Sequence, residues 1–189
     1  MTQAEQTTKP TPTLAQVVDD LFYAAHTTAA AIEGCLRHIS VNDGGWAPGT
    51  WGIRTGGTLT VRDAEGRIVR QEIILTPDVT WANSTAEYAG NKTQAVINDE
   101  NNRPSIEMID DEAGVYAGGI PFQYTCPVDG AIKTGSIAFS GWPQIADHVS
   151  VTMWASMGCL TFERQVMLDL AGDCAIRDEL LELEQGWAM

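Results

Sequence analysis

Three histidines, four cysteines and several clustered carboxylates are the residues of this 189-residue chain whose types allow chemistry beyond packing. His26 lies in an Ala/Thr stretch, residues 24–31, whose small side chains let a second helix or a flat ligand come close to the backbone. It reads either as a ligand to such a group or as a helix-flank histidine satisfied by water or a threonine. His38 falls near the end of the same segment, where a helix dipole favours the cationic imidazole, so a capping role is expected. His148 directly follows Asp147, but neighbours on a helix diverge by about 100 degrees, so the two form no dyad and a solvent-facing imidazole is expected.

The other reactive types point to little. Ser140 lacks the Gly-x-Ser-x-Gly setting of a hydrolase nucleophile and reads as a turn hydroxyl. Gly56-Gly57 and Gly118-Gly119 match no phosphate-binding fingerprint and read as turns or as places of close backbone approach to a ligand. Cys35, Cys126, Cys159 and Cys174 are scattered, with no CxxC pair, and suit free thiols in a reducing cytoplasm. The clusters Asp19-Asp20, Asp110-Asp111-Glu112 and Asp178-Glu179 read as solvated charges, so no metal is assigned to them. The sequons at Asn83 and Asn91 read as chance matches.

The elements that must carry these residues follow from periodicity. Leu14, Val18, Leu21, Ala25, Ile32 and Leu36 predict one amphipathic helix from residue 14 to about 37, with Thr13 as its N-cap. Residues 41–57, rich in Gly and holding Trp46 and Trp51, read as a long loop. Alternation around Asp63-Ala64-Glu65-Gly66 predicts a hairpin with strands at 58–61 and 68–75. A helix over about 80–98, a second hairpin with strands at 120–125 and 134–139, and a helix opened by Pro143 follow. Two further helical pieces are expected at 162–170 and 175–184. The fold class is therefore α+β, an antiparallel sheet of about five strands flanked by helices, with extra C-terminal helices. Residues 1–12 read as a disordered leader and 13–189 as one domain, its core at 13–158 and a helical extension at 159–189.

Eleven Lys plus Arg against 25 Asp plus Glu give a formal charge of -14, which repels phosphate backbones and anionic lipid surfaces and argues against nucleic acid or membrane partners. The polar start has neither the basic residues nor the apolar run of a secretory signal, and the chain is expected in the cytoplasm.

Three stretches carry a resemblance. The first is the hairpin from Leu59 through Asp63 and Gly66 to Val69; the second is the next helix, with Ser84, Ala89, Asn91 and Lys92. The third is Gly118-Gly119-Ile120-Pro121, the strand Gly135-Ser136-Ile137-Ala138-Phe139-Ser140-Gly141, and Asp147 in the following helix. In this order they resemble the GlcG/HbpS family of small haem-binding proteins, which includes the C-terminal domain of PduO-type proteins. Ala138, Trp142, the long Trp46/Trp51 loop and everything after Gly158 depart from the family pattern. The resemblance implies a profilin-like fold, a homo-oligomer and a small-molecule pocket between the first helix and the sheet. It also implies haem as the cofactor, with His26 as axial iron ligand, by element rather than by motif, and with Tyr116, Gly119 and Phe122 lining the pocket. Two other classes stand beside this one: an enzyme or enzyme subunit using His26, His148 or a pocket carboxylate on a small apolar or aromatic metabolite, and a structural partner subunit docked through its C-terminal helices.

Overall fold

The computed structural model describes residues 10–42, 54–75 and 79–157. Helix α1 (Leu14–Asn42) begins at a reciprocal capping box. The Gln16 N–H donates to Thr13 Oγ1 at 3.3 Å, and the Thr13 N–H donates back to Gln16 Oε1 at 2.9 Å. Its Leu/Val/Phe/Ala stripe, from Val17 through Leu21, Phe22, Ala25 and Ala29 to Leu36, is buried. The helix runs past residue 37, so His38 stands exposed before the last turn rather than at the end expected of a cap.

Strands β1 (Gly57–Arg62) and β2 (Ile68–Ile74) form the first hairpin. Its turn is fixed by Asp63, whose Oδ1 accepts from the Glu65 and Arg67 N–H groups, and by Gly66 at φ +78°. Helix α2 (Val79–Asn98) follows, then a short 3₁₀ turn at Ser105–Glu107. Strands β3 (Gly119–Thr125) and β4 (Ile132–Ser140) form the second hairpin, and α3 (Gln144–Met157) follows. The strands make one antiparallel sheet in the order β2-β1-β4-β3, four strands among the described residues where about five are expected. Thr11 and Pro12 are tied to its end, their carbonyls accepting from Thr125 Oγ1 and the Thr125 N–H.

Strand periodicity gives the sheet two unlike faces. Leu59, Val61, Ile120, Phe122, Ile137 and Phe139 point into the apolar core shared with α1 and α3. The other face meets α2 through small polar groups. Thr58 Oγ1 shares a 2.8 Å hydrogen bond with Thr85 Oγ1, Arg62 Nε donates to Thr93 Oγ1, and Ser136 Oγ donates to the Thr93 carbonyl. The architecture is thus an α+β layered domain, with α2 on one face and α1 and α3 on the other. No helix among the described residues is long and apolar enough to cross a membrane. The Trp46/Trp51 loop, Cys159, Cys174, Asp178-Glu179 and the two expected C-terminal helices lie outside the described residues.

Candidate functional site

Where β4 ends and α3 begins, the chain turns tightly through Ser140-Gly141-Trp142-Pro143. A Cβ on Gly141 would come within 2.1 Å of the Gly56 carbonyl oxygen, so only glycine lets these two backbones meet. The turn is wrapped around Asp147, one turn into α3, whose Oδ1 accepts from the Trp142 N–H at 2.9 Å; the Gly141 N–H supports the same carboxylate. The other oxygen, Oδ2, accepts from Lys92 Nζ of α2 at 2.7 Å, and Nζ also donates to the Phe139 carbonyl at 2.9 Å. Both side chains are almost wholly buried, 1% and 3% exposed.

Taking both charges out of water opposes their ionisation. Burial pushes the Asp147 carboxyl up to about 6, against the pull of the Lys92 charge and hydrogen bond. Burial likewise holds Lys92 below the usual ammonium range despite Asp147 beside it. An ammonium has three donors, and two of the Lys92 donors are used. The third has no protein acceptor among the described residues.

Lys92 and Asp147 form the floor of a cleft of about 240 Å³. Tyr88 from α2, Tyr116 from the segment before β3 and Trp142 wall it, and Arg54, Ser140, Gly141 and Gln144 complete its lining. Tyr88 and Tyr116 meet edge to face with ring centres 5.3 Å apart. The cleft therefore offers flat apolar walls, a buried ammonium with a donor to spare, and two cationic side chains against one carboxylate in a strongly acidic chain.

The expected site residues separate in space. Tyr116 borders this cleft. Gly119 does not; its N–H donates to Ser105 Oγ at 2.8 Å, and a Cβ there would press on the Lys92 carbonyl at 3.0 Å, so this glycine serves the close approach of β3 to α2. Phe122 is buried in the core against Tyr124. His26 stands on the far side of the sheet, its side chain 46% exposed, with Nε2 3.0 Å from Glu72 Oε2 and its ring beside Phe22.

His148 departs from expectation. Its side chain is fully buried rather than solvent-facing, and neither ring nitrogen has a hydrogen-bond partner among the described residues. Burial first, and the Lys92 charge second, push the imidazole down to about 4, so it is neutral near pH 7. A buried carboxylate on the core side was also missed. Glu33 of α1 accepts from Trp142 Nε1 at 2.9 Å, from the Gly56 N–H at 3.0 Å and from Arg37 Nε at 2.9 Å, and so ties the first helix to the turn that holds Asp147. Among the described residues no group of three His, Cys, Asp or Glu side chains could hold a metal ion. Compared with known protein families, with curated proteins and with solved structures, the chain matches none.

Proposed function

We propose that this chain is a small-molecule-binding protein whose ligand is a planar, aromatic or conjugated anion held in the cleft above Lys92 and Asp147. The observation that carries the reading is the third Lys92 donor, without an acceptor among the described residues, at the base of an aromatic-walled opening. A ligand carboxylate would complete that ammonium's hydrogen bonds while its ring lies against Tyr88, Tyr116 and Trp142. At about 240 Å³ the cleft is smaller than the roughly 300–1,000 Å³ of drug-sized ligand sites, which limits the ligand to one or two rings. The fold is read as profilin-like and GlcG/HbpS-like, supported by the antiparallel sheet with helices on both faces. A cytoplasmic location is supported by free Cys35 and Cys126.

The test is calorimetric titration with benzoate and 4-hydroxybenzoate, with benzamide as the neutral control. The anions bind, benzamide binds at least about tenfold more weakly, and Lys92→Met removes the difference. Equal binding of acid and amide, or binding of neither, overturns the reading.

A second reading, haem, belongs to the other face of the sheet and is favoured by the His26–Glu72 pair. A carboxylate on Nε2 orients an imidazole in the way metal-binding histidines are oriented, leaving Nδ1 to ligate. Hemin titration would then give a Soret shift that His26→Ala abolishes. An unchanged titration in the variant removes His26 from that role.

A further inference from the structure

The outer edge of the sheet is written so that it can pair with itself. Among the described residues β1 is the only strand beside β2, so one side of the Ile68–Ile74 backbone has no strand partner. Such an edge is a template for another strand. It is also apolar: Ile68, Val69 and Ile73 are 47%, 42% and 52% exposed, three of the nine large apolar side chains that the described residues leave this open.

The charges on this strand are related by a two-fold axis. β2 reads Ile68-Val69-Arg70-Gln71-Glu72-Ile73-Ile74. Laid antiparallel against a second copy about Gln71, Arg70 stands opposite the partner's Glu72, Glu72 opposite the partner's Arg70, and Val69 opposite the partner's Ile73. In one chain Arg70 Nε already donates to Glu72 Oε1 at 2.7 Å, which places the two side chains on one face. The pairing would close two guanidinium groups and two carboxylates into a square of alternating sign. A shift of one residue would set Glu72 against Gln71 and reverse the faces, and a shift of two would put Glu72 against Glu72, so the register is selected by charge as well as by the apolar ends. In a chain of formal charge -14, this strand carries one positive and one negative side chain, and so offers a second copy an approach with little local repulsion.

We infer that β2 is a homodimer interface, two chains joining edge to edge about Gln71 into one continuous eight-stranded sheet. The bulge between Val61 and Arg62 disturbs β2 near Val69, which centres the flat pairable run on Arg70 to Glu72. His26 and Asp19 also meet these charges from α1, His26 at Glu72 and Asp19 at 3.6 Å from Arg70, while the Arg70 guanidinium lies 4.3 Å over the Phe22 ring.

The experiment is a charge exchange read by sedimentation velocity on the full chain, with circular dichroism to confirm that each variant is folded. Wild type sediments at twice 20.4 kDa. Glu72→Arg sets Arg against Arg and Arg70→Glu sets Glu against Glu, and each raises the dissociation constant by at least about tenfold. Mixed together, the two variants restore opposite charges at both positions and recover a dimer. Ile73→Lys, which alters no charge pair of the strand, also weakens the dimer. A monomeric wild type, single variants that dimerise as wild type does, or a mixture that fails to recover each overturns the assignment.

Discussion

Replacing Lys92 by Met removes the cation and leaves the Asp147 carboxylate buried between α2, α3 and the Gly141-Trp142 turn. Even with Lys92 present, burial lifts that carboxyl from 3.8 to about 6. At about 1.4 kcal/mol per unit, ionising it inside the fold costs about 3 kcal/mol. Because the folded value lies above the unfolded one, this stability is fully present below about pH 3.8 and is lost as pH rises through about 6. Without the Lys92 attraction the carboxyl rises further, and breaking a buried pair on one side costs about 3–5 kcal/mol. The Lys92→Met deficit is therefore about 3–5 kcal/mol at about pH 7.5. At about pH 5, where the variant's carboxyl is protonated, it falls by about 2 kcal/mol. Lys92→Met/Asp147→Asn, which keeps an acceptor for the Trp142 and Gly141 N–H groups, recovers most of the loss at both pH values. Urea unfolding followed by circular dichroism measures all three. A deficit under about 1 kcal/mol at the higher pH, or one that does not change between the two, refutes the argument.

Two more outcomes follow from buried groups. The His148 imidazole, held at about 4 against 6.5 when unfolded, contributes about 3 kcal/mol above pH 6.5 that is lost as pH falls toward 4; His148→Leu should flatten this part of the stability profile, and an unchanged slope in urea titrations would place the proton uptake elsewhere. Gly118 sits at φ +115° with its added Cβ 2.8 Å from Asp147 Cβ and the Phe139 oxygen, so Gly118→Ala should cost at least about 2 kcal/mol by thermal unfolding. Gly130→Ala, at φ +70° in open space, should cost about 1 kcal/mol, and equal losses would mean that backbone strain alone accounts for the first.

The elements were legible because local patterns specify them. The 3.6-residue stripe of α1, the Thr13 cap and the Asp63–Gly66 turn are written within a few neighbouring residues, and each is found where expected. The floor of the cleft was not, because Lys92 and Asp147 are 55 residues apart and no local period says which helix faces meet. One signal was available. Thr85, Ala89, Lys92 and Val96 fall at three-to-four-residue steps, and all four are buried, so Lys92 occupies the inward stripe of α2. A lysine in such a stripe needs a buried acceptor, and Asp147 supplies it. His148 was misread for a related reason. Every residue of α3 from Ala146 to Ala155 is buried, and a helix covered on all sides shows no amphipathic contrast from which to choose a wet face. His26 sits on the expected helix, but whether a helix position looks toward a sheet or away from it depends on docking that its own neighbours do not encode.

Trp142 donates its backbone N–H to Asp147 and its indole N–H to Glu33, so one residue fastens the charged floor beneath α2 and α3 to the first helix across the sheet. Peeling α1 away would strip a buried carboxylate of its indole donor and loosen the turn that shelters the lysine. The helical layers on both sides of the sheet should accordingly melt in a single transition.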